Sequence, residues 1–145
     1  WPFGGILLLS RAIKKAISMT DEQLSIKDQC SGALAVLKTT IGMAEGSNGE
    51  VVDAAKKLQY VLVVKLQSTP PGVDVSDSKF ANLEQALEAF EAAISAAGLK
   101  PEDTPCRAEY DAALSAAAGT TDKATAGITY AACLGARFAK YLSGS

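Results

Sequence analysis

The chain has 145 residues and a mass of 15.0 kDa, the size of one domain; with 48% hydrophobic and 21% charged residues it is not a disordered tail. A formal net charge of −2 and an isoelectric point near 5.1 provide no basic field for nucleic acid. Histidine is absent, which removes the commonest general base, the commonest zinc ligand and any Ser-His or Cys-His nucleophile pair.

Trp1 in first place reads as a mature N-terminus left by leader removal. The apolar run from Trp1 to Leu9 is shorter than the roughly 18 residues of a membrane-spanning helix, and Arg11, Lys14 and Lys15 follow it. Ile6, Leu9, Ile13 and Ile17 fall at helical spacing, with Leu7 and Leu8 widening the stripe. Residues 1–19 therefore read as a basic amphipathic arm with no acid before Asp21. Such an arm packs on its own bundle, docks on a partner protein or makes peripheral contact with an anionic membrane. The expected docking residues are Trp1, Phe3, Ile6, Leu9, Arg11, Ile13, Lys14 and Lys15, the aromatic tip serving as anchor.

Residues 20–145 read as a single helical domain. The chain holds 26 alanines, the best helix former, and few β-branched runs. Thr20-Asp21-Glu22-Gln23 has the form of a capping box. It predicts a first helix carrying Leu24, Leu34, Leu37 and Ile41 as far as Gly46. Ser47-Asn48-Gly49-Glu50 has the same form and predicts a second helix through Val51, Ala55, Leu58, Leu62 and Leu66. The run Tyr60-Val61-Leu62-Val63-Val64 resembles a buried strand when isolated, but its flanks continue the helical pattern. A helix apolar on most sides is expected at the centre of the fold. Pro70-Pro71-Gly72 then marks the longest linker, from Ser68 to Ser78.

A third helix spans Asp77 to Ala97, with Phe80, Leu83, Leu87, Phe90, Ile94 and Ala97 as one stripe. Glu84, Glu88 and Glu91 read as its solvated face. Gly98-Leu99 predicts a Schellman stop. Thr104-Pro105 predicts a shorter helix, Thr as cap and Pro at its first position, with Tyr110, Ala113, Leu114 and Ala117 on its apolar side. Thr121-Asp122 opens the last helix, which runs to about Leu142. The expected fold is all-α: an up-and-down four-helix bundle with an N-terminal amphipathic helix and one additional short helix.

Cys30 falls in an apolar pattern and reads as a small buried hydrophobe. Cys106 and Cys133 have their midpoint at Gly119-Thr120, the predicted turn, so an antiparallel hairpin sets the two sulfurs level. A Cys106–Cys133 disulfide is expected, with two reduced buried thiols as the alternative. The bridge implies an oxidising compartment outside the cytosol.

No catalytic residue, metal ligand set or cofactor is expected. The Glu-x-x-His of di-iron bundles needs histidine, the oxygen-rich calcium loop is missing, and three scattered cysteines lack zinc spacing. Nucleophile-elbow, P-loop and dinucleotide fingerprints are absent. Gly127, Ala131, Gly135 and Ala139 recur every four residues in the last helix, a small-residue stripe that lets another helix approach closely. That helix comes either from this fold or from a partner.

Four matched helices from Thr20 to Leu142, a processed N-terminus and an oxidising compartment together resemble the small extrinsic lumenal subunits of photosystem II, the PsbQ type. The likeness is one of architecture and covers most of the chain; no residue motif carries it. It implies a non-catalytic subunit in the thylakoid lumen that docks on a membrane complex and stabilises it. The alternative is a secreted helical binding protein, holding an apolar small ligand between helices or acting as an effector or antigen.

Overall fold

A computed structural model describes residues 25–144, and the amphipathic arm and the Thr20 capping box lie outside them. The described chain is helical, with no strand among its residues. Five α-helices follow in order: α1 (Ile26–Ala44), α2 (Gly49–Tyr60), α3 (Asp77–Ala96), α4 (Pro105–Ala116) and α5 (Thr120–Leu142). A π-helical segment, Val61–Leu66, prolongs α2, and a 3₁₀ turn, Pro101–Asp103, precedes α4.

Ser25, in extended backbone, opens α1: its Oγ accepts from the Asp28 amide at 3.1 Å and donates to Asp28 Oδ2. Buried Cys30, Ala33, Leu37, Ile41 and Ala44 repeat at three- and four-residue steps along this helix. Gly46, at φ 91°, turns the chain back. The expected Ser47–Glu50 capping box does not form. Ser47 Oγ instead donates to the Ala44 carbonyl, closing α1 rather than opening α2, and Asn48 takes the cap position with no side-chain bond to the helix amides, its Nδ2 donating to Ser47 Oγ at 3.1 Å.

Leu58, Leu62 and Leu66 are all fully buried. A strict four-residue repeat drifts around a 3.6-residue helix. The widened turns from Val61 onward, closed by a bond from the Gln67 amide to the Leu62 carbonyl at 2.7 Å, offset that drift and keep the leucines facing inward. Tyr60, Val63 and Val64 face outward, at 59%, 47% and 43% exposure. The expectation that α2 is central therefore fails: its apolar residues divide between a buried edge and an exposed one.

Ser76 caps α3 by accepting from the Lys79 amide, and Phe80, Leu83, Leu87, Phe90 and Ile94 are buried in sequence-predicted register. Gly98 adopts φ 114°. The Leu99 amide donates to the Ile94 carbonyl at 3.2 Å and the Gly98 amide to Ser95, which is the predicted Schellman stop. The proline-rich linker is held onto the start of α5. Thr121 Oγ1 accepts from the Val75 amide at 2.9 Å and donates to Asp74, while Thr120 Oγ1 donates to Asp77 at 2.5 Å.

The central element is α5, which packs against α1, α3 and α4, while α2 packs against α1 and α3. Close approach explains its centrality. At Gly127 a Cβ would lie 2.7 Å from Leu83 Cδ2, and at Gly135 one would lie 3.1 Å from Thr40 Oγ1 and 3.2 Å from Val36 Cγ1. The Thr40 hydroxyl bridges α1 to α5, donating to the Gly135 carbonyl at 2.7 Å. Space beside the small-residue stripe is thus taken by the protein's own α1 and α3; Ala131 is fully buried and Ala139 half-buried.

Candidate functional site

A concavity lies between α4 and α5. One end of this helix pair is fixed by Cys106 and Cys133, whose Cα atoms are 5.7 Å apart and whose sulfurs are bonded. The other end is fixed by the short turn at residues 117–119. Between the two, Tyr110 and Tyr130 stack in parallel, ring centroids 4.4 Å apart with 3° between planes. The stack spaces the helices, and Ala113, Ala116, Ala117 and Ala126 are too short to fill the gap beyond it. The result is a half-open cleft of about 330 Å³, within the range of small-molecule sites.

A polar clasp closes the opposite side of the tyrosines. Tyr130 Oη donates to Glu91 Oε2, and Arg107 Nη1 pairs with the same oxygen at 2.5 Å. Arg107 also meets Asp111 on its own helix, Nη2 to Oδ1 at 3.1 Å. Its guanidinium carbon is 5.5 Å from one ring centroid and 5.8 Å from the other. Near-equal distances to two parallel rings place it beside their edges, not over an outer face.

Burial favours neutral phenols here. Desolvation, reinforced by the Glu84 carboxylate, pushes Tyr110 up to about 12. Desolvation, then its bond to Glu91, raises Tyr130 further. For Arg107 desolvation acts downward, but hydrogen bonds to Tyr130 and Glu91 outweigh it and the guanidinium is held more firmly protonated than usual. Cys30, free and fully buried, has its thiol pushed up to about 12 by desolvation. Such a thiol is a poor nucleophile.

The sequence-predicted pair Cys106 and Cys133 is brought together. The predicted docking residues of the arm lie outside the described residues. Glu84 and Glu88 are exposed as the solvated face requires, but Glu91 is half-buried and belongs to the clasp. Sequence reasoning placed Tyr110 on the apolar side of its helix but did not pair it with Tyr130, although the signal was present: their midpoint is residue 120, within half a residue of the cysteines'. Among the described residues no group of His, Cys, Asp and Glu is arranged to hold a metal, and no helix is long and apolar enough to cross a membrane. Comparisons with protein-family models, with curated proteins and with solved structures found no match.

Proposed function

We propose that this chain is a non-catalytic accessory subunit that docks through exposed helical faces and its N-terminal arm onto a larger complex and stabilises it. The observation that carries this reading is the apolar edge of α2, where Tyr60, Val63 and Val64 share one face and stand in solvent. A grouped apolar face, unlike scattered surface hydrophobes, marks a contact surface. The cysteine pair at disulfide distance fits an oxidising compartment; the thylakoid lumen or the extracellular space is the location we propose. A photosynthetic membrane complex is the partner class in keeping with the four long helices, taken as an up-and-down four-helix bundle with α4 as the additional short helix. Native extracts separated by size test the reading. The protein is expected in a high-mass fraction, and a Tyr60→Ser/Val64→Asp variant with an unchanged melting temperature is expected at its monomer mass. Wild-type protein found only at monomer mass refutes docking.

A second reading is a binding protein that holds a small apolar ligand, and the α4–α5 cleft favours it. The cleft lies beside the core, not within it, so ligand binding and docking use different surfaces.

A further inference from the structure

The α4–α5 cleft adjoins the place where the described chain begins. Around the circumference of α5, Thr125 and Thr129 fall between Gly135, which meets α1, and Cys133, which is bonded to α4. Both threonines line the cleft, so its mouth lies on the α1 side, away from the clasp. Asp122 and Thr125 line a second recess as well, together with Ser25 and Ile26 of α1 and Thr69 of the proline-rich linker. The two hollows therefore adjoin, and the second holds the point at which residues 1–24 join the bundle. Thr69 is more than nine-tenths buried there, yet its Oγ1 has no hydrogen-bond partner among the described residues. A buried hydroxyl in that state calls for a polar group from whatever covers the recess.

The N-terminal arm has the length, pattern and charge for this space. From Asp122 to Cys133 the cleft follows about 16 Å of α5, and Ile6 to Ile17 spans the same rise as a helix. Residues 18–24 reach up to about 23 Å when extended, enough to turn the chain back from Ser25. Ile6, Leu9, Ile13 and Ile17 supply long side chains along one face, where Ala113, Ala116 and Ala126 leave the cleft unfilled. The cleft is lined by Glu109 and Asp122 and by no base. Residues 1–19 carry Arg11, Lys14 and Lys15 and no acid, so the two attract without any single pair being required. We propose that residues 6–17 of the chain itself occupy the α4–α5 cleft as a helix antiparallel to α5, with the apolar stripe on the alanines. Arg11 and Lys15 fall on the opposite side of that helix and stay in water, open to a partner. This goes beyond the docking reading: it assigns the cleft to the chain's own arm and makes a small ligand the rival occupant.

The test follows the full chain with its disulfide intact, by methyl contacts and amide exchange in NMR. In the wild type, nuclear Overhauser contacts are expected from the Leu9 and Ile13 methyls to Ala113 and Ala126. Amides of residues 6–17 are expected to exchange at least about tenfold more slowly than in an unstructured peptide. Ala113→Leu fills the slot and is expected to return those amides to unstructured rates while α1, α3 and α5 keep their protection. Ala113 is exposed among the described residues, so the variant should fold, which an intact disulfide and that retained protection confirm. Ile13→Asp unseats the arm from its own side and is expected to shift the Ala126 amide. Unprotected arm amides in the wild type overturn the proposal, as does protection that survives both substitutions. Contacts seen only between labelled and unlabelled molecules in a mixed sample put a second copy's arm in the cleft and overturn it. A small molecule retained in the native mass spectrum, with the arm unprotected, gives the cleft to a ligand and overturns it too. The size separation that tests docking reads a different surface, so the two readings fail separately.

Discussion

Replacing both bridged cysteines, Cys106→Ala with Cys133→Ala, should destabilise the chain and loosen one helix in particular. The bond spans a sequence separation of 27, and closing a loop of that length restricts the unfolded chain by about 3.5 kcal/mol at room temperature. A protein of this size should then melt on the order of 10 °C lower. The structure adds a local expectation. Helix α4 buries only Cys106 and Tyr110, so apart from the bridge it is held by the tyrosine stack, the Arg107–Glu91 pair and half-buried Leu114. The exposed face of that pair reduces its worth. Without the bridge α4 should open from α5 before the rest unfolds. Urea titration measures the global loss, and native-state hydrogen exchange measures the local one, with α4 amides losing protection while α1, α3 and α5 keep theirs. A loss below about 1 kcal/mol with α4 amides still protected would refute the view that the bridge holds α4 in place.

Gly127→Ala sets a gain in helix propensity of about 1 kcal/mol against a Cβ placed 2.7 Å from Leu83 Cδ2; overpacking costs about 1–3 kcal/mol, so a net loss in a urea melt is expected. Phe138→Ala removes a fully buried ring from α5 and should cost about 3–5 kcal/mol, read as a lower urea midpoint. Alkaline pH should unfold the protein in a defined window. The folded state holds Cys30 and Tyr110 neutral, each pushed up to about 12 from ordinary values of 9.0 and 10.0, so their contribution is complete below pH 9 and lost as pH rises towards 12. Cys30→Ala should flatten the lower part of that decline, and tyrosinate absorbance of the wild type against Tyr110→Phe reports the upper part.

The helical stripes were legible because each depends on local periodicity alone. Phe80 through Ile94 repeats with so few interruptions that no tertiary contact was needed to place it, and the Gly98 stop follows from backbone freedom at one residue. The cysteine pair was legible because a hairpin with a short turn fixes register by arithmetic. What failed depends on the third dimension. The four-residue spacing already set Leu58, Leu62 and Leu66 apart from Val63 and Val64; what it could not say is whether another helix covers the valine face, which stands exposed among the described residues. Ser47 had two carbonyl and amide neighbours within reach, and the sequence could not say which helix it would close. The Glu91–Arg107 pair joins residues on different helices, and only the docking of α4 brings them together. The cleft was the least visible feature, since it arises from residues too small to touch.

The disulfide makes residues 106–133 a closed ring of covalent bonds that includes most of α4, the turn and half of α5. A single proteolytic cut within the exposed turn at residues 117–119 leaves the two pieces tied together, and the nicked molecule keeps its helices facing each other. The pieces part only after reduction. In an oxidising, protease-rich space, cleavage at this turn therefore does not release the C-terminal helix, and damage at the most accessible loop of the cleft is without loss of mass until a reductant arrives.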